Sequence, residues 1–196
     1  MTDYKFTQDW FSHNIPVWEQ LATLIPGEAG KRMFLEIGSF EGRSAVWLME
    51  NVMQKGDFIF CIDTWEGSEE HEQLDMLPTF DTFKENTRIA TGRTGVKRGY
   101  AKNQSRLELG TMQNDGNLYD FIYIDGSHTA KDVLTDACMA WPLLKQGGLM
   151  VFDDYLWGES RDILHRPKMA VDFFVNTFAE SLDIVHIGHQ FAVRKK

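Results

Sequence analysis

Four short apolar runs in this chain each end in a carboxylate: Met33-Phe34-Leu35-Glu36, Phe58-Ile59-Phe60-Cys61-Ile62-Asp63, Phe121-Ile122-Tyr123-Ile124-Asp125 and Leu149-Met150-Val151-Phe152-Asp153-Asp154. Near-continuous apolar runs of this length, separated by helical patterns, read as strands of a parallel sheet covered on both faces. Ligands of such sheets bind outside the carboxyl ends of the strands. The four runs therefore deliver acids to one edge. That edge suits a ligand that is cationic, rich in hydroxyls or bound through a metal ion, and suits a naked pyrophosphate badly.

The remaining segments complete an α/β pattern. Thr7 to Trp10 and Pro16 to Leu24 read as two short helices broken at Asn14-Ile15-Pro16. Trp10 and Trp18 on them either pack on the sheet or cover a substrate. Gly42 to Met53, Phe80 to Ile89, Asn103 to Met112, Thr129 to Leu144 and Pro167 to Phe178 carry helical periodicity, with Gly92 ending the second of these. Thr94 to Gly99 is a weak strand, Asn114-Asp115-Gly116-Asn117 a turn, and Gly147-Gly148 the entry to the last of the four runs. Leu182 to His186 and Phe191 to Arg194, separated by Gly188-His189-Gln190, read as a terminal hairpin. The acidic stretch from Glu66 to Pro78 is a solvated loop or a lid. No repeat or linker divides the 196 residues, a length that suits one domain.

Composition narrows the partners. There are 20 basic and 29 acidic residues, a formal charge of −9, and the densest basic group, Lys97, Arg98, Lys102 and Arg106, reads as a solvated face. A nucleic-acid backbone is not an expected partner. Cys61 and Cys138 lie inside apolar segments and read as buried free thiols. Met1-Thr2-Asp3-Tyr4-Lys5 lacks the pattern of a secretion signal, and no apolar stretch approaches transmembrane length. A cytoplasmic protein that leaves membranes alone is expected.

Glu36-Ile37-Gly38-Ser39-Phe40-Glu41-Gly42-Arg43-Ser44 follows a strand and opens a helix, the setting of a nucleotide-type loop, but without the G-x-G-x-x-G spacing of dinucleotide sites. Gly38 permits a tight turn beside a ligand and Gly42 a close approach of the helix start. Glu36 would attract an ammonium group, while helix amides near Ser44 could receive a carboxylate. Asp63, about twenty residues beyond the glycine loop, is placed to accept ribose hydroxyls. Trp65 either covers an adenine face or packs the loop. Adenosine, ammonium and carboxylate together describe S-adenosylmethionine.

At these residues the chain resembles the class I S-adenosylmethionine-dependent methyltransferases, in the branch of the macrolide-sugar and catechol-type O-methyltransferases. Besides the glycine loop, the resemblance rests on Ile62-Asp63-Thr64-Trp65, Ile124-Asp125-Gly126-Ser127-His128, Leu144-Lys145-Gln146-Gly147-Gly148 and Phe152-Asp153-Asp154-Tyr155. It implies a Rossmann-like, doubly wound sheet of about seven mostly parallel strands with an antiparallel C-terminal hairpin strand. Residues 1–30 would then form a helical cap on a core of 31–196. It further implies that Glu36, Gly38, Ser39, Gly42 and Ser44 hold the methionine end and Asp63 the ribose. Where many relatives carry a Gly-Asp-Ser-like turn beside the adenine, this chain has Gly99-Tyr100-Ala101, so Tyr100 is the expected adenine contact.

Strands four and five are neighbours in this fold, so Asp125, Asp153 and Asp154 would converge. Three close carboxylates repel unless a cation neutralises them, and all-oxygen ligands favour Mg2+, Ca2+ or Mn2+. In catechol-type relatives the corresponding acids bind a divalent metal that grips the acceptor hydroxyl, and Asp125 also stands close to the cofactor. His128, three residues past Asp125, takes the position of the general base there; a histidine near its reference pKa of about 6.5 can accept a proton at neutral pH. The alternative for His128 is a helix-start residue bonded to backbone. The expected function is O-methylation of a small hydroxylated acceptor, of sugar or natural-product type, assisted by Mg2+ or another divalent cation. A metal-independent N- or C-methyltransferase and a non-catalytic cofactor-binding module are the alternatives, and a homo-oligomer is compatible with the sequence.

Overall fold

The computed structural model describes residues 4–67 and 76–196. Among them, seven strands form one sheet: β1 (Met33–Ile37), β2 (Phe58–Asp63), β3 (Lys97–Lys102), β4 (Tyr119–Ile124), β5 (Leu144–Phe152), β6 (Leu182–Ile187) and β7 (Phe191–Lys195). Their order is β3-β2-β1-β4-β5-β7-β6. The first five strands are parallel, and β7 runs antiparallel to both β5 and β6. The helices are α1 (Ile15–Ala22), α2 (Arg43–Asn51), α3 (Thr79–Thr94), α4 (Ser105–Asp115), α5 (Ala130–Ala140) and α6 (Lys168–Thr177). This is the doubly wound arrangement expected from the sequence, including the closing hairpin.

Alternation along the central strands divides the core between two faces. Leu35, Ile37, Ile62, Ile122 and Ile124 pack with Leu109 of α4, Val133 and Ala137 of α5 and Phe174 of α6. Phe34, Ile59, Phe121 and Tyr123 pack on the opposite face with Trp18, Leu48 and Phe83 of α1, α2 and α3. Trp18 is fully buried there, its ring 4.7 Å from Tyr123 and its Nε1 donating to Gln190 at 2.7 Å.

Several boundaries differ from the sequence reading. Thr7–Trp10 is not helical. The segment is strapped across the glycine loop by Glu41, which accepts from the Thr7 amide at 2.6 Å and its hydroxyl at 2.9 Å. Trp10 accordingly stays half exposed beside Phe40, rather than packing on the sheet. Helix α3 passes through Gly92, where the helical backbone needs no special conformation. It stops at Gly95, which takes the left-handed conformation (φ 72°), so β3 begins later than expected. Proline in a 3-10 turn at Trp141–Leu143 ends α5 early, and β5 starts at Leu144. Gly147-Gly148 therefore lies within β5, at the irregularity in its pairing with β4. Cys61 is buried as expected, whereas Cys138 is exposed on the outer side of α5. Most of the acidic stretch, 68–75, lies outside the described residues.

Candidate active site

The carboxyl ends of β1, β2, β4 and β5 open into a cavity of about 1000 Å3. Of the residues singled out in the sequence, Gly38, Ser39, Ser44, Asp63, Asp125, His128, Asp153 and Asp154 line it. Glu36, Gly42, Trp65 and Tyr100 do not.

The case of Glu36 follows from strand geometry. Strand β1 continues one residue further, to Ile37, so Glu36 is not terminal and its side chain points with Phe34 toward α2. There it is fully buried, accepting from Ser39 Oγ at 2.7 Å and Ser44 Oγ at 2.5 Å, with Cys61 Sγ 3.5 Å away. Glu36 thus fixes the two serines that face the cavity and does not itself line it, so its position is that of an anchor behind the loop and not the exposed one the ammonium contact presumed. Burial pushes its carboxyl up to about 6 against the pull of the serine hydrogen bonds. An acid raised on folding contributes stability at low pH that is lost as pH rises through the folded value. From about pH 4 to about pH 8, the unfolding free energy of the wild type is expected to fall by about 2 kcal/mol relative to Glu36→Gln. Urea titrations at the two pH values measure this, and a constant difference would contradict it.

Asp63 ends β2 and lines the cavity, but it also builds the glycine loop. Its Oδ2 accepts from the amides of Ser39 (2.8 Å) and Phe40 (2.9 Å), and its Oδ1 from Trp65 (2.7 Å). Gly38 (φ 83°) is where β1 turns under the end of β4. Gly42 (φ 81°) instead packs against Phe83. Trp65 is buried between Phe80 and Phe83, its Nε1 donating to the Phe40 carbonyl at 2.7 Å, so of its two possible roles it packs the loop. Tyr100 meets the same three rings edge-on, away from the cavity. That corrects its expected place beside an adenine.

At the other end of the cavity the strand-end acids converge. Asp125, His128 and Asp154 each offer a donor atom within 4.8 Å of the others, as do Asp153, Asp154 and His189. His128 Nε2 lies 2.9 Å from Asp154 Oδ2, and its ring rests 4.4 Å from that of Trp157. Asp153 is committed to the fold: Tyr123 Oη and Asn14 Nδ2 bond its Oδ2, and the Asp154 amide bonds its Oδ1. Burial, then the charges of Asp153 and Asp154, hold the Asp125 carboxyl well above the usual range. Asp153 is likewise raised by burial and by Asp154. A cation would relieve this repulsion, and the carboxylate oxygens fit Mg2+ or Mn2+. Asp125 and Asp154 are the carboxylates placed to hold it; Asp153, expected from the sequence as a third ligand, has its oxygens bonded by Tyr123, Asn14 and the Asp154 amide.

Sequence reasoning passed over His13 and His189, which also line the cavity. The signal for His189 was available: a hairpin strand antiparallel to β5 must bring its turn to the carboxyl end of β5. Phe191 pairs with Phe152, and His189 Nδ1 comes within 3.7 Å of Asp154. His13 had no comparable signal, since the break at Asn14-Ile15-Pro16 does not fix where it points.

A Rossmann-like sheet of this order, with a glycine loop after β1, an acid ending β2 and an acid cluster beyond β4 and β5, defines the class I methyltransferase architecture. The family model described as a methyltransferase domain matches residues 35–155, more than half of the chain, and the chain belongs to that family. An uncharacterised protein of Acanthamoeba polyphaga mimivirus is 30% identical over 126 residues, 62% of this chain. The chain spans about half, 51%, of the length of that relative. Among solved structures, the O-methyltransferase TomG from Streptomyces achromogenes, in complex with SAM, superposes with a TM-score of 0.63 at 18% identity, covering 92% of this chain and 78% of TomG. MycE methyltransferase from the mycinamycin biosynthetic pathway, in complex with Mg and SAH, gives 0.61 at 14% identity, with 96% and 51% covered. At these identities the two superpositions establish the fold. No helix among the described residues is long and apolar enough to cross a membrane.

Proposed function

We propose that this protein uses S-adenosylmethionine to methylate a hydroxyl of a small acceptor, of sugar or natural-product type, with a divalent cation held at the acid cluster. One observation carries the reading: a single cavity joins the Gly38-Ser39 loop and Asp63 to Asp125, His128 and Asp154. The first group suits the methionine and ribose of the cofactor, and the second suits an acceptor hydroxyl. TomG and MycE, whose complexes hold SAM, or SAH with Mg, support both halves. When bound, the cation would lower the acceptor hydroxyl's pKa and orient it. The chain's own residues hold the two reactants in line. As the carbon–sulfur bond breaks and the carbon–oxygen bond forms, S-adenosylhomocysteine departs and the hydroxyl proton passes to the His128–Asp154 pair.

Calorimetry with S-adenosylhomocysteine is expected to give a dissociation constant near micromolar, about −8 kcal/mol. Transfer to a panel of hydroxylated acceptors should fall at least ~10-fold with chelator and recover with Mg2+. Absence of binding would end the cofactor reading. Turnover indifferent to chelator but reduced by Asp154→Ala would remove the cation and favour the metal-independent alternative. That alternative draws on the 2.9 Å His128–Asp154 contact, which is a base with its orienting acid, complete without an ion.

A further inference from the structure

The cavity has an arm between the starts of α4 and α5 whose chemistry the glycine loop and the acid cluster leave unused. Its floor is apolar, formed by Ile37 and Ile62 at the ends of β1 and β2. Its polar wall is Asp136, on α5 less than two turns from the helix start. Asp136 is only 4% exposed, yet it lines the cavity. Its Oδ1 accepts from Ser105 Oγ, the first residue of α4, at 2.5 Å. Its Oδ2 receives no hydrogen bond from the described residues. That oxygen is turned to the face of Gly126, where it lies 3.6 Å from the position a β-carbon would occupy; Ile37 Cγ2 is equally near. The neighbouring acid, Asp132, is by contrast occupied by Ser127 and Thr129. A buried carboxylate oxygen in the cavity lining beside Ile37 calls for a donor on the ligand.

The arm also stands where a base would fall. Asp63, the ribose candidate, is joined to the arm through its carbonyl, which accepts from the Asn103 amide at 3.0 Å. Residues 103–105 then lead to Ser105. A ring carried on a ribose at Asp63 would lie over Ile37 and Ile62 with its edge toward Asp136. We propose that Asp136, held by Ser105, accepts a hydrogen bond from the exocyclic amino group of the cofactor's adenine and selects against 6-oxopurines. An adenine presents an N–H donor at this edge, whereas hypoxanthine presents a carbonyl oxygen that a carboxylate repels. A site built to bond a donor rejects an analogue lacking it far more strongly than apolar contact can. Asp136 thereby supplies the base recognition that the segment Gly99-Tyr100-Ala101 lacks. The assignment rests on reading the cavity as an S-adenosylmethionine site.

The test compares binding of S-adenosylhomocysteine and S-inosylhomocysteine by calorimetry to the wild type, Asp136→Ala and Asp136→Asn. Thermal melting of each variant confirms that it folds. The wild type is expected to prefer the adenosyl compound by at least ~30-fold. In Asp136→Ala, adenosyl binding should weaken ~10-fold or more while inosyl binding holds or improves, so that the preference collapses. Asp136→Asn keeps the side-chain shape and should lose most of the preference, because with Oδ1 held by Ser105 it presents an NH2 group to the arm. Undiminished preference in both variants overturns the role of Asp136 and leaves the cofactor reading standing. Failure of the wild type to bind either compound overturns the cofactor reading and this assignment together.

Discussion

His128→Ala is expected to lower kcat for methyl transfer by about 10²–10⁴-fold, the usual range for loss of a positioned general base. The affinity for S-adenosylhomocysteine should change little, since Asp154 and Trp157, the described partners of the imidazole, are not among the residues assigned to the methionine or ribose. The geometry explains why the effect should fall on kcat. The ring rests against Trp157, 4.4 Å away and tilted by 55°, and is held at Nε2 by Asp154, so it is already oriented before an acceptor arrives. Asp154→Asn should lose part of the same activity, because the imidazole then loses the carboxylate that stabilises its charged form. Added imidazole should restore some turnover to His128→Ala and none to Asp154→Asn. Initial rates at saturating cofactor measure all three, and a loss of less than ~5-fold in His128→Ala would remove the base role.

The second large effect is structural. A β-carbon on Gly38 would lie 1.9 Å from the backbone oxygen of Asp125, and Gly38 sits at φ 83°. The close atom is backbone, so no rotamer change relieves the clash. Gly38→Ala must part the ends of β1 and β4, where the Asp125 amide bonds the Ile37 carbonyl at 2.8 Å. A destabilisation of about 4 kcal/mol is expected, with loss of cofactor binding even where the variant stays folded. Gly92→Ala is the control: it lies inside α3 with open space around the position and should stabilise by about 0.5–1 kcal/mol. Urea unfolding of both variants checks the contrast. Equal effects would mean that loop strain is not what makes Gly38 necessary.

What the sequence made legible is what depends on local period and chain order. The apolar runs of β1, β2, β4 and β5 cannot hide in a helix, and their shared direction brings Asp63, Asp125, Asp153 and Asp154 to one edge whatever the packing details. What it left illegible depends on single-residue register and on distant segments. One further residue in β1 turns Glu36 from a ligand contact into an internal anchor, because side chains reverse face at every step. Trp65 and Tyr100 lie in a segment suited to a base, but Phe80 and Phe83 of α3 claim their rings, and nothing nearby in sequence announces that. Asp136 was passed over because an acid inside an amphipathic helix looks like a solvated position until α4 is seen to pack against α5.

The acid cluster draws on both extremities of the described chain. Asp153 is bonded by Asn14, 139 residues earlier, and Asp154 is approached by His189 from the turn of the β6–β7 hairpin. During synthesis the glycine loop and Asp63 have all their partners once β4 has emerged. The acid cluster must wait until β7 pairs with β5. Until then β5 is an open sheet edge with unpaired backbone groups, a surface that invites misassociation. A nascent chain stalled before residue 182 would therefore be a poor monomer, with its glycine loop formed and its acid cluster incomplete.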